Sequence, residues 1–546
     1  MKNRLLKKIF PVALGLMVAG GNTSCIDDLN QSIVDPQTTT TLDLTALLAK
    51  VYSSLVLTGQ TGGAGNADMS QFDEGNSSWY RRIFEANELC SDECIWTWQG
   101  DASIPELTNI AWNSSLGYNE LTYYRLMYNV TLCNSYLDNT EDESGDYVRQ
   151  TRAEVRFVRA LNLFHFIDLY GRAPFKEHVN ADLPVEKKRS EVFDYVESEL
   201  LAISGEKQSS EQLLDFAGTD ENYGRADKVA AYMLLARLYL NAEVYTGTPQ
   251  WEKARDYAAK AIASDYKLCT EEKNGYTAYE QLFMGDNGEN DNARQEIIFP
   301  IRCDGGNSRG YGGSVYTVAS CTGGGTPDQG LPASMWTCNR SRQSLVDKFI
   351  SNGSSLSKST AYATPQLFAK IAARDDRAMF YVDADRTYST EEKTTFTAGF
   401  SILKWNNTYC DTIGGKGPKD ESFADTDIPY IRLAEAYLTR AEANFRLGES
   451  GKALDDLQVL RRRANAAELA TIDERTILDE WCREFYFEGR RRSDLIRFGL
   501  FTSSEYIWDW KGGSYAGTGV ESKYNLYPIP DNELNANANM HQNPGY

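Results

Sequence analysis

Residues 428–465 constrain the fold more than any other part of this chain. Two stretches of helical periodicity, 428–447 and 451–465, are divided by Gly448, and a glycine just past a periodic run is a helix stop. Small residues at Ala434, Ala441 and Ala443 fall where a second helix can approach closely. A helix pair of this kind cannot bury its apolar face alone, so it requires further helices stacked upon it. The same shape recurs at 224–264. There Ala230, Leu234, Leu238 and Ala242 make one stripe over 224–245, and a Gly-Thr-Pro turn leads into a helix over 251–264.

Two further segments share this periodicity. Over 151–170, Val155, Val158, Leu161, Leu163, Phe166 and Leu169 recur at three- and four-residue intervals up to Gly171, with Pro174 beyond. Over 475–500 a basic, aromatic helical region is interrupted at Gly489. The expected architecture is therefore mostly α, with tetratricopeptide-type helix pairs as a scaffold. Between the helices lie stretches rich in Gly, Asn, Thr and aromatic residues, at 60–125, 285–345 and 385–425. Long loops carried on a rigid scaffold are where binding residues concentrate.

The N-terminus directs the chain out of the cytoplasm. Lys2, Arg4, Lys7 and Lys8 precede a short apolar run, Ile9 to Ala19, followed by small and polar residues and then Cys25. That is a secretory leader over 1–24, too short to span a bilayer. Cys25 stands where a lipoprotein peptidase cuts, and acylation there anchors the mature chain stably to a membrane. Residues 25–45, rich in Asp, Thr and Ser, read as a tether, and 46–546 as a single domain. Two acids, Asp27 and Asp28, follow the cysteine.

Charge and residue usage exclude several functions. The net charge of −21 becomes −25 once the four basic residues of the leader are removed, which makes nucleic acid a poor partner. An uncharged polysaccharide meets no such obstacle. Only three histidines exist, His165, His178 and His541, too few to favour histidine acid–base chemistry or a multi-histidine zinc site. Beyond Cys25, nine cysteines remain. They read as buried apolar residues, with Cys90 and Cys94 close enough in sequence to pair in an oxidising exterior.

Several motifs together resemble the SusD/RagB family of outer-membrane lipoproteins. They are Ala153-Glu154-Val155-Arg156-Phe157 with Asp168-Leu169-Tyr170-Gly171, Gly224-Arg225-Ala226, Arg432-Leu433-Ala434-Glu435, Arg483-Glu484-Phe485 with Glu488-Gly489-Arg490, and the ending Asn543-Pro544-Gly545-Tyr546. Segments such as Leu183-Pro184-Val185-Glu186 and Trp508-Asp509-Trp510 tighten the likeness toward the starch-binding members. The resemblance implies a SusD-like fold, a location on the outer membrane facing the cell exterior, and a SusC-like TonB-dependent transporter as partner. It also implies non-catalytic capture of starch and malto-oligosaccharides, with no cofactor required. Another glycan, or a peptide, is the alternative cargo on the same scaffold. A hydrolase would need a pair of carboxylates, and no motif singles one out; Glu154, Arg156, Glu435, Arg440, Glu484, Arg490 and Asp494 read instead as salt-bridged helix packing.

The resemblance maps an arc of aromatic residues onto Trp98, Tyr311 and Trp336, with Trp96 adjoining and Asp73 and Arg81 as hydrogen-bonding groups. In an extended segment Trp96 and Trp98 project from one face. Where the starch-binding relative has an asparagine facing the sugar, this chain has Asp101, which accepts hydrogen bonds but, when ionised, cannot donate. Finally, Gly288 within the acidic run 286–291, together with Asp425 and Asp427, leaves two readings open: a structural calcium site built from oxygen ligands, or a solvated turn.

Overall fold

A computed structural model describes residues 43–59, 62–63, 67–69, 72–350 and 361–546. The leader, Cys25 and the tether up to residue 42 lie outside the described residues. The chain divides into a unit over Met1–Leu47 and a unit over Leu48–Tyr546. Of the first, the described part opens the helix Leu44–Ser53, whose start is capped where the Ala46 N–H donates to Asp43 at 3.0 Å.

The scaffold of the second unit is a row of helices, each packed on the next. Gly117–Asn139 packs on Asp146–Leu169, which packs on Arg189–Ile203 and then Lys228–Leu240. The row continues through Trp251–Ile262, Leu433–Arg446 and Ser450–Arg463. Small residues allow the close crossings: Ala254, Ala258 and Ala261 on one helix and Ala434, Ala441 and Ala443 on its neighbour are all fully buried. With no side chain beyond Cβ, these positions let the helix axes approach to the short end of the usual range.

The structure shifts several expected boundaries. The helix expected from 151 begins at Asp146. The helix expected from Gly224 begins at Lys228, because Gly224 adopts φ +101° and Asp227 caps the helix by accepting the Ala230 N–H at 2.8 Å. Residues 428–432, read as a first helical turn, form instead a strand, Ile428–Arg432, antiparallel to Ile297–Ile301. Pro429 disfavours the α region for the residue before it, and the sheet partner satisfies the backbone. The region 475–500 divides into Glu474–Phe485 and Arg491–Arg497, with Phe487 at φ +58° and Gly489 at φ +78° between them. The stretch 60–125, expected as loop, contains the helix Trp79–Glu88.

Charged motif residues hold the helices together. Glu154 pairs with Arg225, Arg156 with Glu199 and Glu211, Glu435 with Arg237 and Arg490, and Arg440 with Asp456. Glu484 meets Arg432, Arg463 and Arg377, and Asp494 meets Arg490 and Arg497. Cys90 and Cys94 are free and buried, their sulfurs turned to the carbonyl oxygens of Ala86 and Glu88 at 3.4 and 3.7 Å. Burial pushes the Cys90 thiol up to about 11. Among the described residues no helix is long and apolar enough to cross a membrane.

Candidate functional site

Four segments distant in sequence meet beside the helix Trp79–Glu88. The first is the single turn Glu74–Asn76, fixed where Asp73 accepts the Asn76 N–H at 3.1 Å. Ser78 then caps the helix by accepting the Arg81 N–H, and its own hydroxyl donates to the Gly312 carbonyl at 2.7 Å. Only glycine fits at 312, since an added Cβ would lie 2.0 Å from the Ser78 hydroxyl. This close approach sets Tyr311 beside Gly75, where an added Cβ would stand 3.7 Å from that of Tyr311.

The other two segments are joined by a short antiparallel pair, Cys94–Trp96 with Asn339–Ser341, in which Trp96 stands opposite Asn339. The Thr97 N–H extends the pairing to the Cys338 carbonyl at 2.6 Å, which brings Trp98 alongside the segment carrying Trp336. Trp336 is itself tied back, its N–H donating at 2.7 Å to Ala319, the end of the helix Ser314–Ala319 that follows Tyr311. Trp98, Tyr311 and Trp336 are thus placed by one connected set of backbone bonds.

The rings differ in exposure. Trp98 is 38% exposed, and Tyr311 and Trp336 are half-buried with ring centroids 6.2 Å apart, tilted by 54°. Trp96 departs from the expectation that it shares an open face with Trp98. It is 2% exposed, stacks on the buried Tyr316 and meets Trp98 edge to face at 5.9 Å. The alternation fails because the strand ends at Trp96 and the chain turns, with the Gln99 N–H bonded to the Thr97 carbonyl and Asp101 to that of Trp98. Trp96 therefore props Trp98 from below.

Arg81 also stands further inside than a sugar-facing group. It is buried, its guanidinium donating to Glu85 at 2.7 Å and to the Gly75 carbonyl at 2.8 Å while lying over Tyr316. Burial opposes its charge, but Glu85 raises its pKa well above the ordinary value. Asp73 is exposed and Asp101 half-buried. One Asp101 oxygen accepts the Trp96 indole N–H at 3.2 Å.

The segments named for calcium are organised by backbone amides. Asp425 accepts from Gly305 and Lys419, and Asp427 accepts from Cys303. Burial pushes the Asp427 carboxyl up to about 6. Gly288 lies so near Asp427 that a Cβ there would be 2.3 Å from its Oδ2. Among the described residues, no group of three or more His, Cys, Asp or Glu side chains is placed to hold a metal ion. His165 is buried against Tyr430 at 2.6 Å, and burial pushes it down to about 3, so it is neutral at physiological pH.

A further aromatic, unmarked in the sequence, stands beside Tyr311. Phe423 lies 5.2 Å from Tyr311 and is half-buried. No local periodicity marks it, since it stands in a loop of mixed acidic and small residues.

Comparison with known proteins shows the family. One family model, described as "SusD family", matches residues 379–546, and another, "Starch-binding associating with outer membrane", matches residues 28–240. The starch-binding protein SusD of Bacteroides thetaiotaomicron is 45% identical, with both chains covered completely. Among solved structures, a SusD-like protein from Bacteroides fragilis superposes with a TM-score of 0.67 at 18% identity, covering 94% of this chain and 100% of that one. A sugar-binding protein described as putative, from Bacteroides vulgatus, gives 0.65 at 20% identity, covering 93% and 100%.

Proposed function

Because the chain belongs to the SusD family, we propose that it is a non-catalytic receptor for starch and malto-oligosaccharides. It is anchored through Cys25 to the outer membrane, faces the exterior, and passes captured glucan to a SusC-like TonB-dependent transporter. The observation that supports this reading is the pairing of the Tyr311 and Trp336 rings, 6.2 Å apart, with the exposed Trp98 carried on the segment whose Thr97 N–H bonds the Cys338 carbonyl two residues past Trp336. Pyranose rings present patches of C–H groups, which aromatic faces cover while carboxylates take the hydroxyls. The starch-binding function of the Bacteroides thetaiotaomicron relative supports the choice of an α-glucan.

Aromatic contacts of this size contribute about 0.5–1.5 kcal/mol each beyond area burial. Three such rings yield a few kcal/mol before the costs of association. Single oligosaccharides therefore bind weakly, and polymer binds through repeated engagement. Neither the contacts nor the transfer requires a cofactor.

Native affinity electrophoresis of the full chain in detergent, through gels holding amylopectin, dextran or inulin, tests the reading. Retardation by amylopectin alone, abolished in the Trp98→Ala, Trp336→Ala double variant, is the expected result. Unaltered migration in amylopectin, with or without retardation in another gel, would overturn the α-glucan assignment.

A further inference from the structure

The aromatic row runs one ring past the residues that the sequence singled out. From Trp336 the centroids step 6.2 Å to Tyr311 and 5.2 Å to Phe423, with successive tilts of 54° and 40°. Neighbouring rings inclined by these angles do not make one flat surface, and a faceted aromatic surface suits a coiled polymer better than a plane does. Gly63 backs the last two: an added Cβ would lie 2.9 Å from Phe423 and 3.3 Å from Tyr311.

Phe423 is held on a loop tied at several points. The Ala333 N–H donates to the Glu421 carbonyl at 3.1 Å, and the Ser334 hydroxyl donates to that of Ser422 at 3.0 Å, which couples the loop to the segment bearing Trp336. Asp420 accepts the N–H groups of Ser422 and Phe423 and, through its other oxygen, Arg309 at 2.9 Å. Asp425 closes the base by accepting from Gly305 and Lys419. The Arg309 guanidinium stands 5.6 Å from the Phe423 ring centre, and its side chain is 49% exposed. A half-buried ring with a half-exposed guanidinium over it sets an apolar surface beside a polar donor.

We infer that Phe423, together with the neighbouring Arg309, is an additional sugar platform that takes a further glucose unit of a long α-glucan chain. The assignment rests on the α-glucan reading above. It makes the site longer than the arc of Trp98, Tyr311 and Trp336, and it makes affinity depend on chain length through a single loop.

Calorimetric titration of the full chain in detergent with maltotriose and maltoheptaose tests it. Phe423→Leu keeps apolar bulk against Tyr311 but removes the aromatic face, and Phe423→Trp restores a face. The leucine variant should bind maltoheptaose about 5-fold more weakly, the size of one aromatic contact. Maltotriose binding should be unchanged, and the tryptophan variant should recover the wild-type ratio. An equal loss for both sugars, or no loss for either, would overturn the assignment and leave Phe423 a packing residue. If the wild-type chain bound neither sugar, the α-glucan reading itself would fall, and this platform with it.

Discussion

Replacing Glu484 by glutamine should weaken the scaffold at one identifiable point. Its carboxylate accepts from Arg432 at 2.6 Å, from Arg463, and from Arg377 at 3.4 Å, and all four side chains are fully buried. Burial alone would raise this carboxyl, but Arg463, Arg432 and Arg377 overcome it and hold it far below the ordinary carboxylate range. Breaking a buried pair by removing one partner costs about 3–5 kcal/mol. Here Arg432 keeps Glu488, Arg463 keeps Glu296 and Arg377 keeps Asp375, so the loss should fall at the lower end, about 3 kcal/mol. The assay is urea unfolding followed by tryptophan fluorescence, for wild type and Glu484→Gln, across a pH series. A carboxyl whose folded pKa is depressed stabilises fully above its unfolded pKa, about 4.3 for glutamate, and that stabilisation is lost as pH falls toward the folded value. The gap between the two proteins should therefore be constant from pH 5 to 7 on this scale and shrink below about pH 4. A variant within about 0.5 kcal/mol of wild type at neutral pH, within the scatter of ordinary surface changes, or a gap that widened on acidification, would refute the reasoning.

Three further outcomes are expected. Glu88 is buried next to Glu93, and burial followed by that neighbouring carboxyl holds its pKa well above the ordinary value; its stability contribution is therefore present at low pH and lost as pH rises through the folded pKa. Glu88→Gln, which mimics the protonated form, should flatten that alkaline decline, and an unchanged stability profile between pH 5 and 8 would contradict it. Gly312→Ala drives a Cβ into Ser78 and should cost about 1–3 kcal/mol while weakening glucan binding through displacement of Tyr311; denaturant midpoints and titration read both effects, and an unperturbed variant would count against the close approach. Asp101→Asn retains an acceptor for the Trp96 indole and adds a donor for a sugar hydroxyl, so maltoheptaose should bind several-fold more tightly, by about 1 kcal/mol for one neutral hydrogen bond; calorimetry showing weaker binding would reverse that argument.

The parts of the fold legible in the sequence were those whose information is local. Val155, Val158, Leu161 and Leu169 mark one helix, Gly448 marks the end of another, and the alanines at 434, 441 and 443 mark a close crossing, all through spacing on one element. Residues 428–432 were misread because five residues of mixed apolar and polar character fit a strand as well as a helical turn, and the strand's partner lies some 130 residues earlier. Gly117–Asn139 gave no clear stripe because its Tyr, Leu, Asn and Thr residues face the interior on several sides. In the site, Trp98, Tyr311 and Trp336 came from the family resemblance, whereas the pairing of residues 94–96 with 339–341, which sets the segment of Trp98 beside that of Trp336, is announced by no local pattern. The inward position of Trp96 follows from where that pairing stops, and Phe423 joins the row through loop bonds that only the fold creates.

The most direct test of the central claim is a crystal structure of the chain with maltoheptaose bound. A curved glucan chain should lie across Trp98, Tyr311 and Trp336, with hydroxyls within hydrogen-bonding distance of Asp73 or Asp101. Sugar bound at another surface, or these rings left bare at saturating maltoheptaose, would contradict it.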